Sequence, residues 1–163
     1  MLDGKLFAAP IKQPPQTILD LGTGTGIWAI DMADKFPSAH VIGNDLSAIQ
    51  PSWIPPNLEF IIEDFEQEWT YDENYFDFIH TRTIMGCVQD WGWLVRQAYK
   101  CLKPNGYLEL QEAPVWAWSD DGTLKEDSLW MQYQKNLRKQ LKRLEERLTL
   151  PLELQAWMAE AGF

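Results

Sequence analysis

A chain of 163 residues that is 45% hydrophobic is long enough to bury one sizeable core and short enough to form one domain. Its formal net charge of −10 argues against a nucleic-acid backbone or an anionic membrane surface as the default partner, and no run of about eighteen apolar residues is present to span a bilayer. The opening Met1-Leu2-Asp3-Gly4-Lys5 lacks a signal-peptide profile, and Cys87 and Cys101 show neither metal-ligand spacing nor a disulfide framework; an intracellular chain, in cytoplasm or nucleus and without bound metal, is expected.

Residues 1–16, with Pro10, Pro14 and Pro15, read as an extended lead-in in which Lys5 to Ala9 could form a short helical turn. A first strand spans 17–21. Three glycines then stand at every second position, Gly22, Gly24 and Gly26, and a helix over 25–36 closes before Pro37. A second strand over 40–45 ends in Asp45, and Pro51, Pro55 and Pro56 forbid a long regular helix after it. The third strand is 58–62, followed by Glu63-Asp64, and the fourth is 75–80, ending in His80. A helix from Asp90 to Leu102 carries Trp91, Leu94, Val95 and Ala98 at helical spacing; a turn at 103–106 leads to a fifth strand at 107–111.

Two more helices follow. In the first, about 124–147, Trp130, Tyr133, Leu137, Leu141, Leu144 and Leu148 make a stripe that reads as core or lid packing. In the second, Pro151 suits the first turn and Leu152, Leu154, Trp157 and Met158 form a buried face. Strands alternating with helices mean an α/β domain with a doubly wound parallel sheet, Rossmann-like in type. The organisation is a lead-in (1–16), a cofactor-binding core (17–112) and C-terminal helices of the same domain (113–163).

Ligands of such sheets bind at the carboxyl ends of the strands. There fall Asp20 and the glycine turn, Asp45, Asp64, and, past strand four, His80, Thr81 and Arg82. Asp45 lies 19 residues beyond Gly26, a distance at which a carboxylate can accept both ribose hydroxyls of an adenosine. Asp64 suits an adenine amino group, with Phe65 beside it for ring packing. Gly24-Thr25-Gly26-Ile27-Trp28-Ala29 also satisfies the dinucleotide pattern, which leaves a nicotinamide-dependent oxidoreductase as an alternative. Asp20, two residues before the first glycine, decides the preference. It repels a pyrophosphate but suits an ammonium group, which favours S-adenosylmethionine over NAD.

Asp20-Leu21-Gly22-Thr23-Gly24-Thr25-Gly26 resembles motif I of the class I S-adenosylmethionine-dependent methyltransferases. The string from Leu19 to Asp34, with Val41 to Ser47 and Ile49 to Trp53, is similar to the fungal LaeA-type methyltransferases, regulators of secondary metabolism and their relatives. The resemblance implies a sheet ordered 3-2-1-4-5-7-6, of which five strands are readable here and the last two are missing, which would leave strand five an open edge. It further implies that Asp20, Gly22, Thr23, Gly24 and Gly26 hold the methionine part of the cofactor. Asp45, with Leu46 beside it, would hold the ribose, and Asp64 with Phe65 the adenine. Thr81 and Arg82 would lie near the reacting methyl, and Asn44 stands where the family often has an acid. The implied activity is methyl transfer to an unidentified small molecule or protein. A cofactor-binding regulatory module acting through a protein partner is the alternative. Positioning and water exclusion suffice for such a displacement, so a base is optional; His80 is the candidate if one exists.

Overall fold

The computed structural model describes residues 4–113, 116–117, 119–141 and 154–163. Its elements are β1 (Thr17–Leu21), α1 (Ile27–Lys35), β2 (His40–Asp45), β3 (Leu58–Ile62), β4 (Phe76–Arg82), α2 (Trp91–Cys101), β5 (Leu102–Gln111), α3 (Leu129–Gln140) and α4 (Leu154–Ala161). A short 3-10 turn, Met85–Cys87, lies between β4 and α2. The strands form one sheet in the order β3-β2-β1-β4-β5, every pairing parallel. The order reverses at β1, so the carboxyl ends of β1 and β4 flank the crevice where ligands of such sheets bind.

Period-two alternation divides the core between the two faces. Ile18 of β1 packs with Trp28, Ala29, Met32 and Ala33 of α1 and with Val41 and Phe78. Leu19 and Leu21 join Ile79, Phe76 and, from α2, Leu94, Ala98 and Cys101 on the other face. Each fully buried Leu, Ile, Val, Phe or Met side chain among them contributes about 1.5–3 kcal/mol. α4 lies against α2, and its Leu154 and Trp157 are partly buried on that layer. Asp90 caps α2 by accepting from the Trp93 amide at 2.8 Å, and Ser128 caps α3 through Met131 N at 3.3 Å.

Four expectations change. The fourth strand runs two residues further, because Thr81 pairs with Leu21 and Leu110 and Arg82 with Gln111; both residues lie in the strand, not past it. Residues 103–106 are a bulge inside β5: Phe76 pairs with Leu102 and Phe78 with Tyr107, which leaves the four residues opposite Asp77. Lys103 Nζ fixes the bulge to Asp77 Oδ2 at 2.9 Å. On α3 the predicted stripe is not core. Trp130 and Tyr133 are exposed, and the buried residue is Gln134, whose amide pairs with both Ala117 N and Ala117 O. Leu144 and Leu148, with Pro151, Leu152 and Trp118, lie outside the described residues.

The fourth change concerns the lead-in. It forms no helical turn at 5–9 but docks across the α1 side of the sheet, with Leu6, Phe7, Ala9 and Ile11 against that core layer. No helix among the described residues is long and apolar enough to cross a membrane.

Candidate functional site

The glycine turn leaves β1 and returns as α1, and its geometry follows from what fills its flanks. A Cβ on Gly26 would sit inside the Phe60 ring, 2.7 Å from Cε1 and closer still to Cζ. Gly26 also has φ +79° and offers α1 no side-chain cap, so the first amides of the helix have no side-chain acceptor at that end. The Phe60 ring likewise occupies the space beside Gly43, and Ile84 the space beside Gly22. Gly24 differs: a Cβ there meets nothing within 4 Å.

Most of the turn's amides are already committed. Gly22 N donates to Asn44 Oδ1 (3.2 Å), Thr23 N to Asn44 O (2.8 Å), Gly24 N to Asp45 Oδ2 (2.8 Å) and Gly26 N to Thr23 O (3.0 Å). Asp45 Oδ1 also accepts from Ser47 N at 2.9 Å. From the next loop, Gln50 Nε2 donates to Gly24 O at 2.7 Å. The turn is therefore held rigidly by the end of β2 and the loop after it.

Asp20 is only 3% exposed and each of its oxygens accepts one hydrogen bond: Thr23 Oγ1 donates to its Oδ2 at 2.6 Å, and His80 Nδ1 to its Oδ1 at 2.8 Å. His80 pairs in register with Asp20 across β1 and β4, which puts both side chains on the α1 face. Its ring stacks on Trp28 with centroids 3.7 Å apart and planes 5° apart. His80 has no exposed surface, and its Nδ1 is engaged with Asp20. Its Nε2 has no hydrogen-bond partner among the described residues, nor has the buried Thr81 Oγ1. Around these groups is a pocket of about 190 Å³, whose lining includes Asp20, Gly24, Thr25, His80, Arg82 and Thr83.

Of the sequence candidates, Asp20, Gly22, Thr23, Gly24, His80 and Arg82 line this pocket. Asp45 is tied to its rim, with Leu46 exposed beside it. Thr81 faces the opposite layer from His80, since successive strand residues alternate. Asp64 and Phe65 lie outside that lining and have partners of their own. The Asp64 carboxylate caps a turn, accepting from Glu66 N (3.0 Å) and Gln67 Nε2 (3.3 Å). Phe65 is a core residue, 7% exposed, packed with Leu19, Ile42 and Trp69; an aromatic after a strand-end acid reads the same in sequence whether it stacks on a ligand or fills the core.

Sequence reasoning missed Phe60, which shapes the glycine turn, and Glu112. The Glu112 carboxylate accepts from Ile84 N (2.9 Å) and Met85 N (3.2 Å) and so anchors the loop after β4. Burial pushes the Glu112 carboxyl up in pKa despite those two bonds. Thr83 opens that loop with φ 56°, a strained conformation for a β-branched residue. No cluster of His, Cys, Asp and Glu among the described residues could hold a metal ion.

A methyltransferase-domain family model matches residues 1–163. The chain belongs to that family. It is 43% identical over 164 residues to the methyltransferase pytC of Aspergillus terreus, covering 100% of this chain and 50% of that protein. It is 47% identical over 131 residues to the secondary metabolism regulator LAE1 of Cochliobolus heterostrophus, covering 77% of this chain and 43% of that protein. Thus the chain spans about half the length of the curated relatives it matches. Among solved structures, Haemonchus contortus phosphoethanolamine N-methyltransferase 2, determined with S-adenosyl-L-methionine, superposes with a TM-score of 0.65 at 20% identity, over 95% of this chain and 34% of that one. That likeness establishes the class I Rossmann-like fold, and the family match falls with methyltransferases rather than with the oxidoreductase alternative.

Proposed function

We propose that the chain binds S-adenosyl-L-methionine and serves methyl transfer to a small-molecule or protein acceptor. The observation that carries this reading is the buried Asp20 carboxylate beside the open side of Gly24, in a pocket walled by His80 and Arg82. The residues fit the cofactor on three counts. An ionised carboxylate offers about four acceptor positions, so Asp20 can take an ammonium group while keeping Thr23 and His80. The amides at the start of α1, without a side-chain cap, suit the carboxylate of an amino-acid tail. Asp45, already oriented by Gly24 N and Ser47 N, keeps lone pairs for ribose hydroxyls, and Leu46 offers an apolar surface beside them.

When bound, the cofactor supplies a methyl group on a sulfonium, a good leaving group. The chain's own share is then positioning: Asp20 and the turn orient the methionine end, and the loop from Thr83 to Asp90 lies beside the pocket. That loop is held by Glu112 at Ile84 and Met85 and by Glu66 at Gln89. Holding donor and acceptor in line supplies much of the rate effect without a dedicated base. By the same count of acceptor positions, Asp64 can take an adenine amino group while keeping Glu66 and Gln67, with Phe65 beside it.

Calorimetric titration with S-adenosylhomocysteine tests the reading. Binding that Asp45→Ala weakens and NAD does not reproduce is expected; absence of binding to the wild type sinks it. A second reading has support in the relatives named as secondary metabolism regulators. In it the chain keeps the cofactor pocket and acts through a protein partner. The two separate in a host strain: if Gly24→Val abolishes cofactor binding but leaves the phenotype intact, methyl transfer is not the essential output.

A further inference from the structure

The lead-in is tied to the cofactor turn by a continuous set of contacts. Leu6 O accepts from Trp28 Nε1 at 2.8 Å and from Gln111 Nε2 at 3.4 Å, so one carbonyl bridges α1 and β5. Phe7 packs between Phe36 and Phe78, with ring centroids 6.1 and 5.6 Å away. The Glu109 carboxylate accepts from Ala8 N (2.9 Å) and Ala9 N (2.7 Å), and Gln111 Nε2 donates to it at 2.6 Å. A surface tail does not acquire a half-buried aromatic anchor and three capped backbone groups by chance. The Trp28 indole that this strap fixes lies flat on His80, and His80 Nδ1–H holds Asp20 Oδ1.

We infer that residues 6–11 are a positioning element of the cofactor site, coupled to it through Trp28, His80 and Asp20. The inference rests on the cofactor reading above. The strap fixes the indole, the indole restricts the His80 ring to one plane, and the ring holds the carboxylate at the angle from which it meets an ammonium group. His80 has a buried Nε2 without a partner among the described residues, so its orientation depends on the stack and on the Asp20 bond. A docked strap and a bound cofactor therefore favour the same arrangement of Asp20. By linkage, each strengthens the other by one common factor.

Amide hydrogen exchange at Ala8 and Ala9, with and without saturating S-adenosylhomocysteine, tests this together with the ligand's affinity for Phe7→Ala. Phe7 lies in the Trp28 core layer, but its ring pairs are Phe36 and Phe78 rather than the turn, so a purely local packing role would leave affinity unchanged. The ligand is expected to slow exchange at both amides by at least about fivefold, the lower end of ordinary couplings, and Phe7→Ala to weaken affinity by a similar factor. Phe7→Leu should restore most of it. Should Phe7→Ala fail to fold, Glu109→Gln loosens the same strap, and the wild-type exchange measurement needs no variant. Ligand binding with unchanged exchange and undiminished affinity overturns the coupling and leaves the cofactor reading standing. A wild type that does not bind the ligand overturns both.

Discussion

Gly24 and Gly26 look equivalent in sequence, yet the structure separates them, and a pair of alanine substitutions exposes the difference. Both have positive φ, +59° and +79°, where an L-residue with a Cβ costs about 1–2 kcal/mol. At Gly24 nothing lies within 4 Å of the new Cβ, so that backbone term is the whole cost to folding. At Gly26 the Cβ enters the Phe60 ring, which is itself wedged against Gly43. Overpacking of that kind adds about 1–3 kcal/mol, so Gly26→Ala should cost about 2–5 kcal/mol in all. Urea unfolding at constant m-value measures both. For S-adenosylhomocysteine affinity the order reverses among folded variants: Gly24→Ala should be the more damaging, because its methyl projects into the open side of the pocket. Trimming Phe60 should relieve Gly26→Ala, with a double-mutant coupling of about 1–3 kcal/mol. Equal destabilisation by the two alanines, or additivity of Gly26→Ala with Phe60→Leu, would refute this division of the turn.

Three further outcomes are expected. Asn57 Nδ2 lies 3.1, 3.2 and 2.9 Å from the carbonyls of Ala33, Phe36 and Ala39 at the end of α1, so Asn57→Ala should lower stability by about 1–3 kcal/mol in urea while ligand affinity changes little. His80→Phe keeps a ring against Trp28 but frees Asp20 Oδ1, and calorimetry should show affinity for S-adenosylhomocysteine falling more than stability does. Burial opposes ionisation of Asp77, but hydrogen bonds from Lys103, Gln16 N and Thr17 N outweigh it and hold its carboxyl below the ordinary 3.8. A depressed carboxyl stabilises the fold above its unfolded pKa and loses that contribution as pH falls through the folded one. Stability should therefore drop below about pH 4, and Asp77→Asn should flatten that limb in pH-dependent unfolding.

Strands β1, β2 and β3 were legible to the residue because each is a short segment with an apolar centre, Ile18-Leu19, Val41-Ile42 and Phe60-Ile61-Ile62, bounded by turn residues. Their parallel order followed from the alternation with helices. The β5 bulge was not legible: Lys103-Pro104-Asn105-Gly106 has the composition of a turn, and only the pairing of Leu102 back to Phe76 keeps it in the strand. The site was half legible. Asp20, the glycines and Asp45 announce themselves by spacing, whereas Phe60 reads as one more alternating strand residue. The same holds for Glu109 and Glu112, ordinary acids in sequence whose partners lie 101 and 28 residues away, and for Leu6, which acts through a backbone carbonyl. Groups whose role depends on distant backbone leave no local pattern.

The charge argument from the sequence also acquires a different basis in the structure. Asp20 was expected to repel a pyrophosphate while the turn's amides received an anionic group. In fact the amides of Gly22, Thr23, Gly24 and Gly26 donate to Asn44, Asp45 and Thr23, while the start of α1 has no side-chain cap. A phosphate-cradling loop needs several converging free amides. Here the turn instead presents two carboxylates, Asp20 and Asp45, held at fixed angles by those same internal bonds. A ligand gaining most from this site carries donors: an ammonium at Asp20, hydroxyls at Asp45, and one carboxylate for the helix start. Asn44 contributes to this arrangement. Its amide oxygen can hold the Gly22 amide without adding a third negative charge beside Asp20 and Asp45, as an acid at that position would. Asn44→Asp, which adds a charge at a position only 2% exposed, should therefore lower stability in urea by about 1–3 kcal/mol. Unchanged stability would mean that its lack of charge is not what suits Asn44 to this position.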